Sequence, residues 1–362
     1  QIATQLSSFP IGSSAGGFSF TFDPSLGTFN RSTDSFGPVF AERALTNGRG
    51  RVTIGGNFEY AKYNSFEGTD LTNGDVKFYL RHEAETGAFY EKDLVQAALH
   101  LDLSIATTTV FVNYGVTNNW DVAVAVPFQR VSMDASVDAT VLPLASADLN
   151  PPIHAFPGGS LTKTFTSSGK ASGVGDVLLR TKYRFLSRPG GGLALGVDVR
   201  LPSGDANNLL GTGTTEGTFT LIGSSTAGRL APHFNVAYTT AGTGKVVQNI
   251  PSEFDYRFGT EIVAGPRVTF VGDFLGRSLR DAGRLRLTDT VWNYANEAGV
   301  PGSTTLHEFA PVSGALNLLS AALGAKVNVA GNLLISGNVL IALNSQGVTA
   351  RLVPVFGVDY SF

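Results

Sequence analysis

The chain has 362 residues, among them 43 glycines, 25 phenylalanines and no cysteine, and only 15% of its residues are charged. The 29 acidic and 26 basic residues give a formal net charge of −3, which does not indicate a nucleic-acid partner. The lack of cysteine excludes disulfides, thiolate metal sites and cysteine nucleophiles.

The sequence contains no apolar run as long as the roughly 18 residues of a membrane helix. The longest candidate, residues 316–323, is interrupted by Asn317 and Ser320. If the chain crosses a membrane, it must do so as a closed β-barrel, because lipid offers no partners for open backbone groups. Gln1 begins in ordinary polar sequence, and we expect a mature chain from which a secretion signal has been removed.

Residues 1–50 are rich in glycine, serine and phenylalanine and do not alternate in polarity. They can fold into the lumen as a hatch or form a periplasmic extension, and residues 37–44 could form a helical turn or two. A flexible leader would contain fewer aromatic residues, so the composition favours the hatch. In that case the candidate solute contacts are Phe18, Phe20, Phe22 and Phe29.

From Arg51 onward the chain consists of segments in which apolar and polar residues alternate with a period of two, as in β-strands. Twelve such segments lie near residues 52–60, 95–116, 120–128, 173–186, 193–203, 215–227, 231–241, 253–264, 267–279, 314–329, 332–344 and 348–362. The sequence therefore predicts an all-β transmembrane antiparallel β-barrel of about 12 strands, formed by residues 51–362 and preceded by residues 1–50. Fourteen strands is the alternative, because residues 76–83 could form another strand.

The connections between these segments alternate in length. Tight turns are indicated at residues 117–119, 187–191, 228–229, 265–266 and 330–331. Longer connections lie at residues 62–94, 139–171, 204–214, 242–252 and 280–312, with a brief one at 345–346. Outer-membrane barrels have short periplasmic turns and long extracellular loops, whereas a soluble sandwich has no reason to sort its loops in this way.

The apolar side of each segment should face lipid, because a charge at the bilayer midplane costs about 2–4 kcal/mol. This assignment points a set of charged residues into the lumen, where they could form ion pairs or gate a path. The set comprises Asp176, Arg180, Arg184, Asp198, Arg200, Arg257, Asp273 and Arg277. Two interpretations remain open: rings of charge that select what passes, or neutralised ion pairs that make a narrow barrel rigid.

The last segment alternates apolar with polar or small residues and ends on an aromatic residue, as in the assembly signal of outer-membrane proteins. We predict that it closes the barrel by pairing with the strand that starts near Arg51. Aromatic residues near strand ends are candidates for the membrane interface: Tyr114, Trp120, Tyr360 and Phe362.

No motif indicates catalysis or a cofactor. The five histidines, His82, His100, His154, His233 and His307, are scattered in sequence without metal-ligand spacing. No recognisable nucleophile motif accompanies His100, so an outer-membrane hydrolase is disfavoured. The charged stretch at residues 277–292 could face lipopolysaccharide or a solute, although a solvated outer loop is the simpler interpretation.

From Gly37 onward the sequence resembles the family of outer-membrane transporters named after the phenol-degradation meta-pathway. The matching stretches are residues 37–50, 113–117, 122–127, 173–183, 201–205 and 209–213, together with Asp198. The family is distantly similar to FadL-type hydrophobic-solute channels, in which an N-terminal hatch plugs the barrel. The resemblance implies transport of small hydrophobic or aromatic molecules and carries over no substrate residues.

Two functions follow as expectations. The first is a bacterial outer-membrane channel for small, hydrophobic or aromatic solutes, gated by the N-terminal segment. The second is a structural or surface-interaction barrel whose long loops bind a partner or envelope component. The expected partners are the solute, outer-membrane lipid and lipopolysaccharide, and the barrel assembly machinery during biogenesis, with no cofactor and no metal.

Overall fold

A closed ring of twelve antiparallel strands forms the body of the protein. The computed structural model describes residues 17–23, 25–82, 86–241, 250–280 and 282–362. The ring strands are β1 Val52–Tyr63, β2 Leu94–Thr117, β3 Trp120–Leu142, β4 Leu178–Arg188, β5 Gly191–Arg200, β6 Glu216–Ser224, β7 Leu230–Ala241, β8 Glu253–Gly265, β9 Val268–Leu279, β10 Leu316–Ala330, β11 Leu333–Ala342 and β12 Leu352–Ser361. Each strand pairs with its neighbours in sequence, and β12 pairs with β1, so the ring has no free edge. The prediction of twelve strands is confirmed.

The closing seam joins the two ends of the barrel as the terminal segment predicts. Ser361 is paired in register with Thr53, and their hydroxyl oxygens lie 2.8 Å apart. Phe362 donates its backbone N–H to the carbonyl of Val52 at 2.8 Å. An uninterrupted ladder across this seam satisfies the backbone groups that an open edge would expose to lipid.

Further strands lie outside the ring. They are the hairpin Phe20–Asp23 and Thr28–Arg31, the short strands Ser65–Phe66, Thr69–Asp70 and Val348–Thr349, the strands Val76–Leu80 and Thr162–Val174, and the hairpin Leu285–Ala295 and Pro301–Pro311. Val76–Leu80 pairs with an upper part of β2 and does not enter the ring, so the alternative of fourteen barrel strands is wrong.

Helical structure is sparse in the described residues. It consists of two 3-10 turns, Phe89–Lys92 and Ala206–Asn208, and residues 37–44 contain no helical turn. Among the residues that the structure describes, no helix is both long and apolar enough to cross a membrane.

The two rims of the barrel differ as the connection lengths predict. At one rim the turns are tight: two residues join β2 to β3, β4 to β5, β8 to β9 and β10 to β11. The other rim carries the extra strands and the long connections. We refer to the rims as periplasmic and extracellular, following the usual layout of outer-membrane barrels.

The outward face of the barrel is apolar. On β8, Phe254, Phe258 and Ile262 are exposed by 40%, 52% and 45%, whereas the intervening Asp255 and Glu261 are buried. The same alternation is found on β4, where Leu179, Tyr183 and Phe185 are exposed. The outward assignment made from the sequence is therefore confirmed for these strands.

On β2 and β3 the polarity of the two faces inverts part-way along the strands. Near the periplasmic rim the outward side chains of β2 are Val110, Val112 and Tyr114, whereas further up they include the exposed Asp102. The inward side chains of this upper part are apolar, including Leu101, Leu103 and Ile105. The sheet thus continues beyond the lipid with a polar outside and an apolar inside.

Candidate functional site in the barrel lumen

Residues 33–48, here called the inner segment, contact the inward side chains of strands from β2 to β10. The backbone of this segment is held by side chains of the wall. Asn235 on β7 bonds both backbone groups of Glu42, accepting from its N–H at 2.6 Å and donating to its carbonyl at 2.9 Å. Lys326 donates to the carbonyl of Pro38 at 2.8 Å, and Arg257 donates to that of Phe40 at 2.7 Å. An irregular backbone can be buried at membrane depth only with such partners.

A buried carboxylate, Glu261 on β8, holds the middle of the inner segment. It accepts from the hydroxyl of Ser35 and from the N–H of Gly37 at 3.2 Å, and Arg43 lies 3.9 Å away. On its other side Glu261 faces His233 at 3.3 Å. The arrangement satisfies a charge that would otherwise be costly to bury.

The inner segment meets the periplasmic end of the wall at a close backbone contact. Gly48, at φ +93°, packs its carbonyl against Gly115 of β2, where a Cβ atom would come within 1.9 Å of that oxygen. Beside this contact Asp121 accepts from the N–H of Asn47 at 3.0 Å. Position 115 therefore requires glycine, because any side chain would overlap the Gly48 carbonyl.

Charged side chains line a polar cavity of about 100 Å³ on the side of the lumen formed by β4–β9. Arg180 forms two parallel bonds with Asp198, at 2.8 and 2.7 Å, and a third bond with Glu42 at 2.7 Å. Arg200 lies 3.3 Å from Glu216. In this part of the lumen opposite charges are paired across neighbouring strands and with the inner segment.

An apolar chamber of about 70 Å³ lies on the opposite side of the lumen, towards the extracellular rim. Its lining includes Tyr63, Leu275, Leu318, Leu340 and Val353. All of these except Leu318 belong to a larger apolar cluster that also contains Val39 and Phe40 of the inner segment. The chamber therefore continues the apolar inner face that begins where β2 and β3 leave the lipid.

Arg277 on β9 lines both the polar cavity and the apolar chamber. Its guanidinium is held by Glu253 through two bonds of 2.6 and 2.7 Å. Asp255 lies 3.6 Å from the same guanidinium. The side chain thus forms a fixed boundary between the two spaces.

The structure brings five of the eight predicted lumen charges to the polar cavity. They are Arg180, Asp198, Arg200, Arg257 and Arg277. The other three, Asp176, Arg184 and Asp273, are held elsewhere. Asp273 pairs with His233 at 2.8 Å, and Arg184 donates to Asn119 in a periplasmic turn at 3.0 Å.

Asp176 anchors the connection between β5 and β6. Its carboxylate accepts from the N–H of Gly204 at 3.0 Å and from the N–H of Thr212 at 2.7 Å. The gating role given to it from the sequence stays a prediction, as do the roles of the other seven residues.

The four phenylalanines predicted as solute contacts lie near the periplasmic end and not in the apolar chamber. Phe18 packs edge-on against Phe36, with ring centroids 5.5 Å apart, and both join Leu334 in one cluster. The rings of Phe22 and Phe29 pair across a hairpin at 5.0 Å, and the Arg51 guanidinium lies 4.6 Å from the Phe20 ring. Their solute contact stays a prediction, and so does the hatch role of residues 1–50, of which 1–16 lie outside the described residues.

The aromatic residues predicted for the membrane interface are exposed at the periplasmic ends of their strands. Trp120 and Tyr114 are exposed by 41% and 43%, and Tyr360 and Phe362 by 42% and 56%. The indole N–H of Trp120 donates to the Thr181 hydroxyl at 2.8 Å. Their contact with the headgroup region stays a prediction.

Two extracellular connections carry ordered polar networks. In the connection between β1 and β2, the hydroxyl and backbone N–H of Thr86 and the N–H of Gly87 donate to Glu91, which lowers the pKa of Glu91 below its usual range. In the same region His82 and His154, 72 residues apart, bring their Nε2 atoms within 3.2 Å. Within the described ranges, no group of three or more His, Cys, Asp or Glu is placed to hold a metal ion.

Sequence patterns did not single out Glu42 as a site residue, although alternation along β4 points Lys182 into the lumen. Lys182 lies 3.5 Å from Glu42 and donates to the carbonyl of Arg43 at 3.1 Å. The available signal was the adjacent charged pair Glu42 and Arg43 in an apolar stretch. Alternation could not find Glu42, because the inner segment is not a strand.

Comparison with known proteins agrees with this architecture. A family model described as "Putative MetA-pathway of phenol degradation" matches residues 95–277, which is just over half of the chain. No curated protein matches the chain significantly.

Among solved structures, the chain is similar to an outer membrane channel from Pseudomonas putida F1, with 12% identity, a TM-score of 0.50 and coverage of 88% of this chain and 97% of that one. A Pseudomonas aeruginosa FadL homologue is 12% identical at a TM-score of 0.39, covering 98% and 97% of the two chains. The Pseudomonas putida toluene transporter TodX is 12% identical at 0.31, covering 98% and 96%. The first likeness supports the fold, whereas the other two are too distant to add to it.

The closed ring, its apolar outer face and this likeness confirm the prediction of a transmembrane antiparallel β-barrel. The family match confirms the resemblance noted in the sequence. The chain belongs to the family whose model is described as "Putative MetA-pathway of phenol degradation".

Proposed function

We propose that this protein is an outer-membrane channel for small hydrophobic or aromatic solutes and that the inner segment gates its lumen. The observation that carries the proposal is the apolar chamber, which lies in the same lumen as the ion-paired polar cavity. A solute without charge gains most by leaving water for a space lined by leucine and valine side chains. The family's connection with phenol degradation supports the aromatic class.

The size of the chamber supports gating. At about 70 Å³ it is roughly half of the 150 Å³ apolar cavity that is known to hold benzene. A small aromatic molecule therefore fits only if neighbouring side chains move. Val39 and Phe40 of the inner segment belong to the apolar cluster that supplies most of the chamber's apolar lining, so a shift of this segment would give these lining side chains room to move.

The attachment of the inner segment is suited to release. Side chains of the wall hold it by hydrogen bonds and ion pairs, and its backbone is not paired with any strand of the ring. A neutral bond contributes about 1 kcal/mol net and a bond to a charged group about 1.5–3 kcal/mol, so these contacts can break one at a time while the ring of strands stays closed. The proposal assigns no catalytic role to the chain.

The alternative, a structural or surface-interaction barrel, would be favoured by a lumen filled with ion pairs and without an apolar pocket. The polar cavity does contain ion pairs, as this alternative requires. The lumen also contains an apolar chamber, which argues against the alternative. The proposed partners remain the solute, outer-membrane lipid and lipopolysaccharide, and the barrel assembly machinery during biogenesis.

A disulfide between the inner segment and the wall tests the gate. The N–H of Ala44 lies 3.0 Å from the hydroxyl oxygen of Ser224 on β6, and the native chain contains no cysteine to interfere. We expect a variant with Ala44→Cys and Ser224→Cys to take up a labelled monoaromatic hydrocarbon in its reduced form. Oxidation should suppress this uptake to the level of cells without the protein.

The two single-cysteine variants are the matched controls, because an oxidant should not change their uptake. Disulfide formation is verified by a mobility shift on a denaturing gel. Equal uptake by the oxidised and reduced double variant would refute gating by the inner segment. If cells with the wild-type protein or the reduced variant take up no more hydrocarbon than cells without the protein, the channel function itself is refuted.

A further inference from the structure

We propose that His82 and His154 form a binding site for a divalent transition-metal ion of the zinc type at the extracellular rim. His82 follows the strand Val76–Leu80, and His154 lies in the connection between β3 and β4. The site would join two connections that are far apart in sequence. It is independent of the proposed transport function.

The distance between the two imidazoles fits a shared ion. The Nε2 atoms lie 3.2 Å apart. Two nitrogen ligands at the usual zinc distance of about 2.0–2.1 Å, in tetrahedral geometry, are about 3.3 Å apart. The same distance also suits a hydrogen bond between the rings, and the Zn²⁺ titration below separates the two cases.

The orientation of His154 is set by a buried carboxylate. Its Nδ1 atom lies 3.0 Å from Asp93, whose side chain is 2% exposed. Asp93 is itself fixed by the N–H groups of Ala145 and Ser146 at 2.8 and 3.1 Å. Because a carboxylate can only accept, Nδ1 carries the proton and Nε2 presents its lone pair towards His82.

A carboxylate behind a histidine in this way is the usual support of a metal-ligating imidazole. The ring of Tyr90 packs edge-on against His154, with centroids 5.7 Å apart, and limits its rotation. Both histidines line a cavity of about 220 Å³, together with Leu80, Arg81, Asp93 and Val141, among others. Two imidazoles leave two tetrahedral positions for water, so we infer an accessible site of the kind used for loop fastening or ion capture.

Binding of Zn²⁺ alone to the folded full chain tests the proposal. The protein is prepared without a histidine tag and without lipopolysaccharide, since both bind divalent ions, and is titrated calorimetrically. We expect one Zn²⁺ per chain. His82→Ala and His154→Ala should each weaken binding at least ten-fold, and Asp93→Asn by about 10–100-fold.

His307→Ala is the matched control, because His307 also pairs with a carboxylate, Asp289, but has no second histidine beside it in the structure. It should bind Zn²⁺ like the wild type. Heat-dependent gel mobility verifies that each barrel is folded. Absence of stoichiometric binding by the folded wild type, or binding that survives both His82→Ala and His154→Ala, would overturn the proposal.

Discussion

The boundary between the polar cavity and the apolar chamber depends on one guanidinium. Arg277 is buried between Glu253, which it contacts through two bonds, and Asp255 at 3.6 Å. Two carboxylates on one strand are tolerable at this depth because a cation lies between them. Such a buried pair does not necessarily stabilise the fold, but removal of one partner leaves a charge uncompensated.

We therefore expect Arg277→Met to lower the free energy of unfolding by about 3–5 kcal/mol, the usual cost of breaking a buried pair. Glu253→Gln should cost less, because Arg277 keeps Asp255 as a partner. Denaturant unfolding in lipid vesicles, followed by the fluorescence of Trp120 and Trp292, measures both. Equal losses for the two variants would show that Asp255 does not compensate Arg277.

At the scale of residues, the sequence predicted which charged side chains face inward but not the hydrogen-bond or ion-pair partner of each. Alternation determines a face, and it placed Arg180, Asp198 and Arg277 correctly. It could not show that Asp176 serves a loop or that Arg180 also bonds Glu42, because these partners lie in irregular segments. Long-range pairs such as His82 and His154 leave no signal in one sequence.

At the scale of elements, the seating of the inner segment depends on the contact between Gly48 and Gly115. A Cβ atom at position 115 would meet a backbone oxygen at 1.9 Å, and a backbone oxygen cannot move aside as a flexible side chain can. Because residue 115 points inward, the lipid-facing side of β2 is unaffected. A substitution there should consequently loosen the segment and leave the barrel intact.

We expect Gly115→Ala to weaken seating by about 1–3 kcal/mol, a typical cost of overpacking. The readout is maleimide labelling of Ala44→Cys, a position that is fully buried in the wild type. Labelling should become about five-fold to 150-fold faster, since 1.4 kcal/mol corresponds to a factor of ten. Gly217→Ala on β6, where a Cβ atom meets nothing within 4 Å, should leave the rate unchanged.

The strands were the most predictable elements, and the connections were the least. All twelve ring strands follow from alternation because lipid imposes one apolar face on each. Above the lipid this constraint inverts: the outward side of β2 becomes polar and its inner side apolar at Leu101, Leu103 and Ile105. The sequence predicted residues 95–116 as one strand, but it placed Val76–Leu80 and most of Thr162–Val174, which extend the sheet at this end, in the long connections 62–94 and 139–171.

At the scale of the whole molecule, the apolar belt and the rims fix how the barrel sits in the membrane. On β3 the outward residues from Trp120 to Phe128 span nine positions, which agrees with the 9–11 residues of a tilted membrane strand. The exposed Arg130 follows directly above this stretch. The membrane therefore surrounds the periplasmic part of β2 and β3, and the upper parts of these two strands project from it.

This placement predicts a dependence on depth. Phe258, exposed by 52% in the middle of β8, should lie near the bilayer midplane, and Leu230, exposed by 47% at the start of β7, near the periplasmic rim. Phe258→Arg should lower the free energy of unfolding in lipid vesicles by about 2–4 kcal/mol, and Leu230→Arg by about 0–1 kcal/mol. Because both side chains point outward from neighbouring strands, the difference between them reports depth alone. Similar losses at the two positions would contradict a membrane that encloses the periplasmic part of the barrel.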